Sequence, residues 1–279
     1  MNLAVIAFPN LNPIVCEWGP LVVRWYALAY VAGLLFAAWY IKRLVSTPRL
    51  WGANRATLTV SQVDDLFLWF MLGVIGGGRL GYVLFYKPLH YLANPLEIFK
   101  TWDGGMSFHG GFTGVMLAMW LWGRKQKKTF LEVADFIAPW APIGLGAGRI
   151  GNFINQELWG RVTDVPWGVV FRDAGSLPRH PSQLYQAALE GLALFIILWL
   201  FSRKPRPVGA VAGMLALGYG VFRFVVEFVR EPDTQLGFVW GVFTMGQLLS
   251  LPMIIAGAVV LVWAYTRKHP PSNHQHPHA

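Results

Sequence analysis

The sequence predicts an all-α integral membrane protein of seven transmembrane helices, with its amino terminus outside and its carboxyl terminus inside. Three observations carry that prediction. Of 279 residues, 55% are hydrophobic and 13% charged, with 14 Trp and 19 Phe, a composition that belongs to the membrane class. Seven stretches, roughly 20 to 41, 63 to 86, 105 to 123, 130 to 148, 184 to 202, 208 to 229 and 239 to 265, approach the length that crosses a bilayer. That length is about 20 apolar residues for about 30 Å of hydrocarbon. Finally, an outside amino terminus puts 13 of the 23 Lys and Arg in the inner loops and tail, against seven in outer segments and three within helices. The inner groups are Lys42 to Arg55, Arg124 to Lys128, Arg203 to Arg206 and Arg267 with Lys268, and the positive-inside rule fixes the orientation from them.

The chain reads as one transmembrane domain over residues 1–279, in which the longest connection, residues 149–183, forms at most a small head outside the bilayer. The start is not a cleavable signal peptide, because Met1 to Gly19 has neither a basic leader nor an unbroken apolar core. Cys16 is the single cysteine, which excludes an internal disulfide framework and a cysteine metal cluster. The net charge of +9 mostly reflects membrane anchors suited to anionic lipid, and nucleic acid is not implied.

Taken in order, the first helix opens at Pro20 and carries Arg24 and Tyr26 near its outer end, where interfacial anchoring competes with a functional use. The second contains Gly73, Gly77 and Gly81, a small-residue face for another helix, and Arg79, which could pair with Asp64 or Asp65 if packing allows. The third begins at GGMSFHGG, where glycines flank His109 and let another group approach; a hydrogen-bonded structural histidine is the alternative. The fourth is broken by Pro139 and Pro142 before Arg149, as helices that line a cavity can be.

GRIGNFINQELWGR, residues 148 to 161, then places two arginines, a glutamate, two asparagines and a glutamine beside membrane spans. Arg149, Asn152 and Gln156 would share one face of a continued helix, and the alternative is a capped helix end with Glu157 paired to Arg161. His180-Pro181 starts the fifth helix, whose free N–H groups could receive an anion, and Glu190 farther in suits an ion pair. The sixth carries Tyr219, Arg223, Glu227 and Arg230 at offsets of four, eight and eleven, within about 80° of each other. Ionisable groups inside a bilayer are functional candidates because burying them unpaired is costly. Tyr26, His109, Arg149, His180 and Arg223 all fall in the outer third of their spans.

Several arginines with few carboxylates suit a phosphate, which guanidinium binds in bidentate fashion, and an anionic phospholipid is the natural ligand in this layer. No proton-relay string of carboxylates crosses the whole bilayer, which counts against an ion-driven pump. A serine protease lacks G-x-S-x-G, and a metalloprotease lacks H-E-x-x-H. A phospholipid-binding transporter or scaffold that uses the same arginines without chemistry remains as an alternative.

GRIGNFINQELWGR, GGMSFHGG, RHPSQLYQAALEG and GYGVFRFVVEFVREPD together resemble the bacterial prolipoprotein diacylglyceryl transferases, from Trp25-Tyr26 to Met245-Gly246-Gln247. The resemblance implies a seven-helix protein of the bacterial inner membrane with its active site towards the periplasm. It implies transfer of the sn-1,2-diacylglyceryl group of phosphatidylglycerol to the lipobox cysteine of prolipoprotein signal peptides, with thioether formation, release of glycerol 1-phosphate and no metal or soluble cofactor. It carries functional roles onto Tyr26, His109, Arg149 and Arg223, taken as catalytic, and onto Asn152, Glu157, Gly160, Tyr219, Glu227 and Arg230, taken as substrate-binding; His180 joins the substrate-binding set from its place at the start of the fifth helix. Gln186 stands where many members have glutamate, which removes a carboxylate role there.

Overall fold

The computed structural model describes residues 6–9, 14–19, 21–47, 58–101, 104–204, 206–232, 237–239 and 241–267, without the side chains of 21, 22, 24, 26 and 30. Its long elements are α1 (Trp25–Val45), α2 (Val60–Phe85), a short α3 (Pro88–Ala93), α4 (Phe108–Lys125), α5 (Phe130–Ile137) and α6 (Ala141–Ile154). The chain continues with α7 (Ser182–Gln186), a π-helical turn (Ala187–Ala193), α8 (Leu194–Ser202), α9 (Ala210–Val226) and α10 (Met245–Thr266). Four helical stretches, Ala27–Val45, Val60–Phe85, Ser182–Ser202 and Met245–Thr266, are long and apolar enough to cross a membrane, and α5 with α6, bent by 54°, makes a fifth if the pair is one span. The class is therefore that of an all-α integral membrane protein. Two of the expected seven stretches are shorter or more polar than that: α9 is 17 residues, and α4, at 18, carries His109 in its first turn and ends on Arg124 and Lys125.

Caps set several boundaries. Thr59, Thr129 and Thr244 each accept from the third backbone N–H of their helix, while Gln62, Glu132 and Gln247 reach back to the cap, closing three capping boxes. The break between α5 and α6 falls at Ala138–Trp140, where Pro142 follows; proline removes a donor and clashes with the preceding turn. Across that break, Asp135 accepts from the N–H groups of Gly209 (2.6 Å) and Ala212 (2.8 Å), and so caps α9 from a distant helix.

The expected glycine face on α2 packs against α4. A Cβ at Gly73 would lie 2.7 Å from the Gly114 carbonyl oxygen, and one at Gly81 would lie 2.7 Å from Gly110 Cα, so the two backbones touch. Gly110 is therefore spent on helix packing and does not open space for a ligand beside His109. Arg79, buried on α2, pairs with neither Asp64 nor Asp65: its guanidinium donates to the carbonyls of Glu97 (2.6 Å), Ile98 (2.7 Å), Gly104 (2.5 Å) and Gly105 (3.2 Å) and ties the segment between α3 and α4 to the helix. Asp64 instead meets Lys42, and Asp65 accepts from the indole of Trp122.

Outside the helices, short extended segments form a small assembly. β1 (Ile6–Ala7) pairs in parallel with β4 (Val169–Val170), over a core of Phe8, Val169 and Phe171 backed by Phe153 and Trp159. Residues 159–161 run between 179–180 and 229–231: Gly160 N–H donates to His180 O (2.9 Å), His180 N–H to Arg161 O (3.0 Å), and Arg161 N–H to Val229 O (2.8 Å). β2 (Ile14–Trp18) and β3 (Leu21–Arg24) form a hairpin at the head of α1, and β5 (Phe238–Val239) pairs with β6 (Phe243–Thr244) just before α10.

Candidate active site

The most ionic part of the described structure is a chain of five side chains from three elements. Arg149 on α6 brings Nε to 3.5 Å from Glu190 Oε2 in the π turn, and Arg223 Nη1 on α9 lies 3.9 Å from Glu190 Oε1. Arg223 Nη2 then meets Glu227 Oε1 at 2.5 Å, and Arg230 Nη1 meets the same oxygen at 3.2 Å. Both carboxylates are fully buried, and Arg149 and Arg223 retain 19% and 15% side-chain exposure, so the site opens on its arginine side. Tyr219, one turn before Arg223, stands in electrostatic reach of Arg149, Glu190 and Arg223.

Local sequence explains the convergence. Gly146 and Gly191 touch backbone to backbone, a Cβ on Gly191 lying 2.7 Å from Gly146 Cα, and this contact brings Arg149 and Glu190 side by side. A π turn holds an extra residue, which rotates the register of the helix; such turns recur at functional sites. The spacing of Arg223, Glu227 and Arg230 aligns them on one face, as expected from offsets of four and three. Thr244 Oγ1 donates to Glu227 Oε2 (2.7 Å), and Gly246 lies so near that a Cβ would meet both carboxylate oxygens at 2.6 and 2.7 Å. Sequence reasoning missed Thr244 and Gly246 as supports of the site. The capping box at Thr244 was readable, but nothing in the sequence says that its hydroxyl also faces Glu227.

The segment after Arg149 departs from expectation. The helix stops at Ile154, Gln156 and Leu158 adopt positive φ of 55° and 59°, and Gln156 Oε1 accepts from the Arg172 N–H (2.9 Å) instead of sharing a face with Arg149. Glu157 does not pair with Arg161. It accepts from Asn152 Nδ2 (2.7 Å) and Asn155 Nδ2 (3.3 Å), while Arg161 donates to Arg230 O (3.0 Å) and lies over the Phe238 ring. A turn of two left-handed residues redirects the Glu157 side chain back onto the helix end, so its partner is an asparagine and not an arginine.

Gly160 admits no side chain: a Cβ would lie 2.6 Å from His180 O and from Val229 O, which is why three backbone segments can close there. His180 faces the Tyr185 hydroxyl (3.2 Å), which accepts from the Trp167 indole (2.7 Å), and burial pushes the His180 imidazole pKa down. The first turn at Ser182 is not a free anion site. Its N–H groups at Ser182, Leu184 and Tyr185 donate to the carbonyls of His180 and Pro181, and Ser182 Oγ and Gln183 Nε2 hold the carbonyls of Leu158 and Glu157. His109 is exposed at the start of α4, against the edge of Phe108, and no hydrogen bond joins it to the arginine cluster among the described residues. The Tyr26 side chain lies outside the described residues.

Three guanidinium groups against two carboxylates leave the cluster with a net positive charge, inside an otherwise apolar helical body. The fold and the site thus define an all-α membrane protein with a buried cationic centre of the kind that accepts an anion. A model of the family described as prolipoprotein diacylglyceryl transferase matches residues 13–263, and the chain belongs to that family. It is 57% identical over 264 residues, 94% of this chain and 97% of the relative, to the phosphatidylglycerol–prolipoprotein diacylglyceryl transferase of Cupriavidus metallidurans. Proteins of the same name from Pseudomonas aeruginosa (56%, 94% and 97%) and Pseudoalteromonas atlantica (58%, 96% and 94%) match over nearly the whole chain as well.

Proposed function

We propose that the protein transfers the sn-1,2-diacylglyceryl group of phosphatidylglycerol to the lipobox cysteine of prolipoprotein signal peptides, forming a thioether and releasing glycerol 1-phosphate. The observation that carries this reading is the buried chain from Arg149 through Glu190, Arg223 and Glu227 to Arg230, net cationic and open on the arginine side, in a member of this family. The cysteine sulfur attacks the glycerol carbon that bears the phosphate, the carbon–oxygen bond breaks, and its electron pair stays on the phosphate oxygen. Charge grows on that phosphate in the transition state, so donors that tighten on it lower the barrier. Arg149 and Arg223 hold the phosphate, and Arg230 and Tyr219 complete the cationic wall. Asn152, kept in place by Glu157, orients the headgroup together with Tyr26, and the Gly160 and His180 crossing frames the opening. His109, on a separate helix and exposed to an incoming peptide, takes the thiol proton, since a thiol of ordinary pKa near 8.5 needs activation.

This reading places the chain in the bacterial inner membrane with seven spans, amino terminus outside. The segment around 149–183 forms the periplasmic head, and no metal or soluble cofactor takes part. The paired helices α5 and α6 serve as one broken span, with α4 and α9 as short spans. The test is incubation of the purified protein with phosphatidylglycerol and a synthetic lipobox peptide, followed by mass spectrometry. A diacylglyceryl adduct on cysteine with equimolar glycerol phosphate is expected from the unaltered protein, and none from Arg149→Ala; His109→Gln should bind lipid without turnover. Folded, lipid-binding protein that yields no adduct would support the transporter or scaffold reading instead.

A further inference from the structure

Glu190 is the carboxylate of the ionic chain whose contacts are loosest. It is fully buried, yet its nearest cationic atoms are 3.5 and 3.9 Å away, and neither of its oxygens makes a hydrogen bond of good geometry among the described residues, although Arg149 and the Gln186 amide lie beside it. Arg223 Nη1, which faces it, is equally without one, and so are both amide atoms of Gln186 one turn earlier. Buried polar atoms are almost always hydrogen-bonded, and a buried carboxylate is costly unless paired. Five such atoms on three side chains in one spot therefore mark a place where charge balance, and not tight pairing, has been kept. The groups facing Glu190 are Arg149 from α6, and Tyr219 and Arg223 from α9, with Glu227 beyond Arg223.

We propose that Glu190 is a positioning residue that sets the charge of the arginine cluster to match a phosphodiester, so that the phosphate monoester product is released. With Glu190 ionised, the three guanidinium groups and two carboxylates sum to +1, which a diester of charge −1 neutralises. The monoester carries nearly −2 above its second ionisation near pH 6. It over-fills the site and leaves. Without the Glu190 charge, the site would be +2 and would retain the product. This inference rests on the proposed phosphate-holding role of Arg149 and Arg223.

The experiment measures inhibition of diacylglyceryl transfer by added glycerol 1-phosphate, with full-length protein in detergent at pH 5.5 and 7.5, for the unaltered chain, Glu190→Gln and Gln186→Glu. The unaltered protein should be inhibited weakly and competitively with phosphatidylglycerol. Glu190→Gln should show an inhibition constant lower by about tenfold or more at pH 7.5, with kcat reduced and KM lowered by only about threefold because the diester carries half the charge, and the difference should shrink at pH 5.5, where the monoester carries mostly one charge. Gln186→Glu, which adds a carboxylate at the same spot, should shift the constant the opposite way, and it keeps the inference testable if Glu190→Gln does not fold. Inhibition of the unaltered protein that stays the same in both variants overturns the role of Glu190 alone. No inhibition of the unaltered protein by glycerol 1-phosphate overturns the phosphate site itself.

Discussion

Glu227→Gln tests how far the arginines depend on the carboxylate that holds them. Glu227 is fully buried and serves three partners: Arg223 at 2.5 Å, Arg230 at 3.2 Å and the Thr244 hydroxyl at 2.7 Å. Glutamine keeps the shape and one acceptor oxygen but loses the charge. Hydrogen bonds to charged groups contribute about 1.5–3 kcal/mol and neutral ones about 0.5–1.5, so the two guanidinium contacts weaken by roughly 1 kcal/mol each. The new amide NH2 also needs an acceptor, and Thr244 Oγ1 already accepts from the Gln247 N–H. A total near 2 kcal/mol, at 1.36 kcal/mol per factor of ten, predicts a loss of roughly thirtyfold in kcat/KM. The assay is the initial rate of adduct formation on a lipobox peptide in mixed micelles, with thermal unfolding in detergent run alongside. Glu227→Ala removes the carboxylate shared by Arg223 and Arg230 and should cost more, about 3–5 kcal/mol. A Glu227→Gln protein that works within twofold of the unaltered chain would refute the claim that Glu227 positions Arg223.

Gly246→Ala should be as damaging as loss of the carboxylate, because its Cβ would fall on the two Glu227 oxygens; a variant of unchanged rate would show that the last helix has room to shift. Gly114→Leu should lower the unfolding temperature in detergent by separating α2 from α4 at Gly73, where even a Cβ at Gly73 would lie 2.7 Å from the Gly114 oxygen, and an unchanged temperature would contradict the close packing. Burial holds the His180 imidazole below its ordinary pKa of 6.5, so the unfolded chain binds a proton there more readily than the folded one. Its contribution to stability is therefore complete above about 6.5 and is lost as pH falls through that value towards the lower folded pKa. Amide exchange at residues 159–161 and 179–180, corrected for intrinsic rates, should quicken on acidification through this window, and slower exchange there would reverse the sign of the argument.

Apolar runs located the helices, and the prolines at 139 and 142 marked the break between α5 and α6, because each of these signals acts within a few residues. The same holds for the stripe of Arg223, Glu227 and Arg230, whose spacing alone makes them neighbours. What the sequence did not disclose depends on partners far along the chain or on backbone atoms. Arg79 finds four carbonyls of a loop about 20 residues away, and a carbonyl has no residue signature. Gly110 looked like space for a ligand beside His109, yet the space is filled by the second helix. Glu157 and Arg161 have the spacing of a helical ion pair, but the helix ends at Ile154, before either, and left-handed residues at 156 and 158 turn the chain there. The π turn at Ala187–Ala193 has no local code, and without it the meeting of Glu190 with Arg149 cannot be read from spacing.

The central claim is that Arg149 and Arg223 hold the phosphate of the lipid that reacts. It is tested most directly by an experimental structure of the protein with phosphatidylglycerol, the lipobox cysteine being withheld so that no turnover occurs. The account predicts phosphorus between the two guanidinium groups, with phosphate oxygens in hydrogen-bond contact with both and the glycerol carbon turned towards the open side. A headgroup bound elsewhere, with Arg149 and Arg223 left on Glu190 and Glu227 alone, would contradict it.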